Sequence, residues 1–225
     1  MVEGGTVMRL EEVLTDSFNY VKGFIGNLGR YILLVVLYAI PIVNLIALGY
    51  SWRVIEETPK TDTSPPLEGF LGLWVKGLKV AVAGVIYMLI PCVVFMLGLL
   101  SVRAGFGFFL FPYALFTGLA LSLFLLFLVL SFFFLVFLSM AITHMVKTGR
   151  FSKAFSIGEI LGVIGRIGWG RYLAWLLVVF VLVAIVAGLN SIPYIGYIIS
   201  VLVSPLILVF VARSAARLYS EAVKA

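Results

Sequence analysis

The stretch that decides the fold is Ala104 to Thr143, AGFGFFLFPYALFTGLALSLFLLFLVLSFFFLVFLSMAIT, forty residues between Arg103 and His144 without one charged side chain. Its middle, Leu119 to Leu138, is almost entirely Leu, Phe and Val. About 20 such residues cross the hydrocarbon core of a bilayer, and a helix apolar on every side has no use for water. The chain is therefore expected to be all-α, a polytopic membrane helix bundle. A straight helix over the whole stretch would measure about 60 Å, twice the hydrocarbon thickness. A turn between two crossings would fall near Leu123 to Leu128, where there is no Gly, Pro, Asn or Asp. One long span over 114–145 is expected instead, with the aromatic segment Phe106 to Tyr113 folded back along the far surface.

Composition points the same way. Of 225 residues, 63% are hydrophobic and 12% charged, against roughly a quarter charged in soluble domains. The formal net charge is +6, but the 16 basic residues stand at the ends of apolar runs rather than along one stripe. Membrane lipids with anionic headgroups are the expected partner, and nucleic acid is not. The single cysteine, Cys92, excludes an intrachain disulfide and a multi-cysteine metal site, and its apolar surroundings predict a packed, inert thiol. Glu3, Glu11, Glu12 and Asp16 open the chain where a signal peptide would carry basic residues. No cleavable leader is expected, and 1–225 reads as a single integral membrane domain.

Towards the N-terminus, 80–102 is a charge-free span that Pro91 allows to kink. Before it, 53–79 is a polar connection holding Glu56, Glu57, Lys60, Asp62 and the breaker group Ser64-Pro65-Pro66. It closes with an apolar stripe, Phe70, Leu71, Trp74, Val75 and Leu78, beside Lys76 and Lys79, which predicts an interfacial helix. The first membrane segment, 31–52, contains Pro41 and Asn44, so it is kinked or broken there. In 1–28, Leu10, Val13, Leu14, Phe18, Val21 and Ile25 recur at helical spacing among charged residues. That amphipathic helix either lies in the headgroup layer or packs on its own protein. Towards the C-terminus, 150–168 is the third of the three interfacial amphipathic helices. The uncharged run that follows carries Gly188, Asn190, Ser191, Pro193 and Gly196 in its middle, so 172–219 reads as a helical hairpin. Arg213, Arg217 and Lys224 should extend it into water.

Charge asymmetry bears on the first segment. If 31–52 spans, there are five transmembrane helices, with Arg9, Lys22, Arg30 and Arg103 opposite the other basic residues. If it is a re-entrant hairpin turning at Ile40 to Asn44, there are four, and Arg103 stands alone against all the rest. Cytoplasmic loops collect Lys and Arg, which favours the re-entrant form; both forms place the C-terminus in the cytoplasm, with the plasma membrane as the expected location. The junctions Gly29-Arg30-Tyr31, Gly77-Leu78-Lys79 and Gly170-Arg171-Tyr172, each between an amphipathic stretch and an apolar one, leave an internal repeat open.

The chain offers little chemistry at depth. No charged residue lies at the centre of a predicted span, which counts against an ion-coupled transporter and an intramembrane hydrolase. No phosphate-cradling loop or metal-ligand spacing appears, so no catalytic residue, cofactor or metal is expected. His144 reads as an interfacial anchor; an enzyme acting on lipid headgroups would need it clustered with Glu159. Lys76, Lys79, Lys147, Arg150, Lys153 and Arg171 are the expected lipid-headgroup contacts. Asn44 and Asn190, each beside a proline-marked break, are candidates to line a polar cavity or, more simply, to satisfy turn backbone. The hydroxyls Thr117, Ser122, Ser131, Ser139, Ser200 and Ser204 can bond their own helices. Small residues four apart, Gly118/Ser122, Ala184/Gly188, Ser200/Ser204 and Gly158/Gly162, would allow close helix packing within the protein or in a homo-oligomer.

Several stretches resemble a largely archaeal membrane family known only as a domain of unknown function, DUF4013. They are Gly49-Tyr50 with Arg53-Val54, Pro65-Pro66-Leu67 with Phe70 and Leu73, and Lys76-Gly77-Leu78-Lys79 running to Tyr87 and Pro91. A second segment joins Gly149-Arg150-Phe151, Ala154-Phe155 and Gly158-Glu159-Ile160, and Ile192 to Gly196 adds a turn. Members of that family often carry tryptophan and acidic residues after the proline, where this chain has Leu67-Glu68-Gly69-Phe70. The resemblance implies a multi-pass membrane protein and supplies no activity. The reading is a non-enzymatic integral membrane protein that organises lipid or partner proteins at the cytoplasmic face. A permease or channel for a small solute, without a buried carboxylate, is the alternative.

Overall fold

Proline, glycine and capping side chains divide the chain into eight α-helices among the described residues. The computed structural model describes residues 8–107, 113–193 and 195–224, with side chains outside 104–116. Helix α1 (Leu10–Ile25) starts where Glu12 accepts the Arg9 N–H at 2.8 Å, with acidic residues in its first turn to oppose the helix dipole. After Gly26 the Asn27 side chain accepts the Arg30 N–H at 3.1 Å and caps α2 (Leu28–Ala39). The two helices meet at 97°. Pro41 cannot extend α2, because it lacks an N–H and disfavours helix in the residue before it.

The expected break therefore falls between Ala39 and Leu45, where α3 (Leu45–Glu57) begins. The run 31–52 is thus shared by two helices of 12 and 13 residues, each too short to cross alone. Inside the break Ile42 takes φ 69°, a left-handed conformation rare for a β-branched residue. Its carbonyl accepts the Trp74 indole N–H at 3.1 Å.

Helix α4 (Phe70–Gly107) runs through Pro91, and α5 (Tyr113–Thr148) is the long helix that the uncharged stretch predicts. The interfacial helix expected before Val80 is instead the opening of α4, since nothing between Lys79 and Val80 interrupts the backbone. A 3-10 turn (Phe151–Phe155) leads into α6 (Ile157–Ile167), and α7 (Trp169–Leu189) and α8 (Ile195–Lys224) form the C-terminal pair. The fold-back expected of Phe106 to Tyr113 falls largely outside the described residues. Cys92, expected to be packed, is exposed.

Among the described residues four helices are long and apolar enough to cross a membrane, Phe70–Arg103, Thr117–Thr148, Trp169–Leu189 and Ile195–Lys224, or five if the bent pair α1–α2 makes one crossing. Only 6% of the most apolar window of α5 is buried inside the protein, so its remaining surface needs an apolar solvent.

The chain separates into two compact units, one of 1–81 with 140–225 and one of 82–139. In the first, α8 is central. Ala212, Ala215, Ala216 and Ala222 keep its buried face thin, and α1, α2, α3, α6 and α7 all pack against it. Tyr31 of α2 donates to the Leu202 carbonyl at 3.0 Å. In the second unit, ring contacts join α4 to α5: Phe95 to Phe127 at 5.0 Å and Tyr87 to Phe134 at 6.0 Å.

Candidate functional site at the charged end of α8

Helix α8 turns from an apolar rod into a polar hub within three turns, Arg213 to Glu221. Arg213 is only 1% exposed, so its charge has to be met by protein. Its Nε donates to Asp16 Oδ2 at 2.9 Å, Nη2 to Asp62 Oδ1 at 2.7 Å and Nη1 to the Thr61 carbonyl at 2.6 Å. The guanidinium also lies 4.5 Å from the centre of the Tyr20 ring. One turn later Arg217 donates to Asp16 Oδ1 at 2.8 Å and Asp62 Oδ1 at 2.9 Å. Two guanidiniums against two carboxylates leave no net charge. Burial pushes the Asp16 carboxyl up, but hydrogen bonds and charges from Arg213 and Arg217 outweigh it and hold the group below its ordinary value.

A second node gathers on His144 of α5, which is also buried. Its Nδ1 lies 2.8 Å from the Tyr219 hydroxyl and its Nε2 2.9 Å from Glu159 Oε2. The carboxylate only accepts, so Nε2 carries a proton and donates to Glu159; in the neutral ring Tyr219 then donates to Nδ1. Lys153 donates to the other Glu159 oxygen. Those bonds, from Lys153 and then from His144, lower the Glu159 carboxyl below its ordinary range. Glu159 had been expected beside His144 only in the enzyme reading, and the fold does bring them together. Both ring nitrogens are already engaged, however, so the imidazole pins α5, α6 and α8 and presents no free nitrogen to a substrate.

Three further bonds complete the hub. Arg171, opening α7, pairs with Glu221 at 2.7 Å, and the Trp175 indole donates to Ser214 Oγ at 2.9 Å. Lys147 of α5 donates to the Thr58 carbonyl. Arg213 and Arg217 had been expected in water, yet they form the centre. The available signal was their four-residue spacing at the end of an apolar run, which puts both on one helix face. Asp16, one of three acids on an amphipathic helix, gave none.

The residues carrying the family resemblance meet in two joints. In one, Gly49 and Gly77 let α3 and α4 touch backbone to backbone: a Cβ on Gly49 would fall 1.8 Å from the Leu73 oxygen, and one on Gly77 1.7 Å from the Leu45 oxygen. Around them Tyr50 donates to the Pro65 carbonyl at 3.0 Å, Arg53 to that of Pro66 at 2.7 Å, and Lys76 to Glu56 at 2.7 Å. In the other joint, Gly149 turns the chain at φ 69°, Phe151 and Phe155 pack edge to face at 5.6 Å, and Glu159 holds His144. The small-residue pairs singled out by spacing do less. Gly118, Gly158, Gly162 and Gly188 have open space where a Cβ would stand.

Of the six expected headgroup contacts, four are bonded to protein groups: Lys76 to Glu56, Lys147 to Thr58, Lys153 to Glu159 and Arg171 to Glu221. Lys79 is exposed, with its ammonium 5.9 Å from the Trp52 ring, and Arg150 is exposed. Asn44 sits half-buried at the start of α3 and Asn190 exposed after α7. They mark two separate turns.

The fold and the hub define the class: an all-helical membrane protein whose spans are tied together at a charged end. Within it, the chain belongs to the family whose model is described as Protein of unknown function (DUF4013), which matches residues 32–215. No curated protein and no solved structure matches the chain.

Proposed function

We propose that this protein is a non-enzymatic organiser of membrane lipid at the cytoplasmic face of the plasma membrane, with the hub of α8 on that face. The observation that carries this reading is the outer surface of α2. Leu28, Ile32, Leu33 and Val36 are exposed apolar side chains on a helix too short to span, and Ile40 just past its end is exposed too. Such a face is stable only when lipid covers it, as in helices lying at or dipping below the headgroup boundary. With α2 and α3 as the arms of a re-entrant hairpin, every basic residue except Arg103 falls on one side, in keeping with the positive-inside pattern. The free backbone groups of the turn then need protein partners, and Trp74 supplies one to Ile42.

The enzyme reading is not adopted, because His144 is enclosed and both its nitrogens are engaged. The permease reading is not adopted either, since the broad hollow beside α8 is lined by neither Asn44 nor Asn190. Reconstitution into phosphatidylcholine vesicles, with and without phosphatidylglycerol, tests the proposal. Remodelled vesicles are expected in the anionic set, and unchanged morphology in both sets would overturn it.

A further inference from the structure

The hollow that α1 forms with α7 and α8 carries a more specific reading. It has a volume of about 680 Å³ and an almost wholly apolar lining that includes Leu14, Phe18, Val178, Leu182 and Leu206. That size lies within the roughly 300–1,000 Å³ of sites that enclose a ligand. The lining is built from two membrane-crossing helices and an amphipathic one, so the hollow is open to lipid and not to solute. Along α1 the lining runs from Leu14 to Ile25, eleven residues and about 16 Å of helix. The occupant must therefore be long and apolar.

One end is charged. Lys22 lines the hollow, exposed, with its ammonium 5.0 Å from the centre of the Phe18 ring, and no carboxylate pairs with it among the described residues. The hub cations differ: Arg213, Arg217, Arg171 and Lys153 each have an acidic partner. An elongated apolar groove with one unneutralised cation at its rim matches a single amphiphile in charge and polarity. We infer that this groove is a binding site for an acyl chain of an anionic membrane phospholipid, with Lys22 on the headgroup phosphate. The inference rests on the lipid-organising reading above and names the lipid class and the residues that hold it.

Native mass spectrometry of the detergent-purified full chain, offered equal phosphatidylglycerol and phosphatidylcholine, tests it. The wild type should retain one lipid and prefer the anionic one about fivefold, the ratio that one lysine near a membrane surface supplies. Lys22→Gln, a surface change that leaves the packing intact, should keep the lipid and bring the preference close to one. Leu182→Trp, which fills the groove, should retain neither lipid, whereas Phe180→Trp on the opposite face of α7 should behave as wild type. Equal retention by Leu182→Trp, an unchanged preference in Lys22→Gln, or a wild type without lipid would each overturn the site. So would a dimer that Leu182→Trp dissociates, since the groove would then seat a second copy. Vesicles left unchanged while lipid is retained would remove the organising role alone. Remodelled vesicles alongside a Leu182→Trp that keeps its lipid would remove the groove alone.

Discussion

Residues 82–139, set beside 1–81 with 140–225, differ in what holds one helix to another. Residues 82–139 have a single charged residue, Arg103, and join their helices through phenylalanine and tyrosine rings. The other unit places six ionised side chains from α1, the 58–62 connection, α7 and α8 around Arg213 to Glu221. In lipid, apolar side chains gain little by turning inward, because acyl tails are as apolar as leucine. Ring contacts then supply close packing without a strong preference for one arrangement. Hydrogen-bonded charges behave in the opposite way, since away from water a missing partner is expensive. The comparison therefore assigns the fixed geometry to the polar end and leaves the apolar rods to conform to the bilayer.

The largest effect should come from cutting the network at its centre. Arg213→Ala removes the buried charge and its bonds but leaves Asp16 paired with Arg217, so the loss should be about 1.5–3 kcal/mol, the scale of hydrogen bonds to a charged group. Arg213→Lys should restore only part of that, because an ammonium cannot reach Asp16, Asp62 and the Thr61 carbonyl with one planar fork. Unfolding in mixed micelles measures both. An Arg213→Ala protein as stable as wild type would mean that the charged end is held no differently from residues 82–139.

Glycine separates the units by sign. Gly77→Ala drives a methyl into the Leu45 carbonyl, so α3 and α4 must move apart, at about 1–3 kcal/mol. Gly118→Ala, in 82–139, meets open space and gains helix propensity, about 1 kcal/mol in its favour. Melting temperatures of the two variants should move in opposite directions. A shift of the same sign in both would contradict the close crossing.

The sequence makes the rods legible because uncharged length and its basic ends are local properties. The break at Pro41, the unbroken α5 and the turn between α7 and α8 all follow from residues within one stretch. The hub does not. Asp16 and Arg213 are 197 positions apart, and nothing local to either names the other. An arginine after an apolar run reads as the place where a helix enters water, and only packing of α1 on α8 removes that water. The start of α4 illustrates a related limit. An amphipathic stripe before a span looks the same whether the helix bends at the interface or continues straight. Of the small residues that spacing picked out, Ser200 bonds α8 to the Val186 carbonyl of α7 at 3.3 Å, but the closest approach falls at Gly49 and Gly77, which face each other from different helices.

Acid should distinguish the units with the smallest effect. Asp16 and Glu159 titrate below their ordinary values of 3.8 and 4.5, so near those values the folded chain binds fewer protons than the unfolded one. Their contribution is complete above 4.5 and is lost as pH falls through the lower folded values. The effect is modest, because Glu159 is exposed and solvent screens it. Residues 82–139 contain no Asp or Glu and have nothing to lose in that window. All four tryptophans, Trp52, Trp74, Trp169 and Trp175, lie in the other unit, so their fluorescence reports on it alone. On acidification below 3.8 the emission should shift while the far-ultraviolet helix signal holds. A chain carrying Asp16→Asn and Glu159→Gln should lose that shift. If the doubly substituted chain responds as wild type does, the acid sensitivity belongs to other carboxylates and not to the hub.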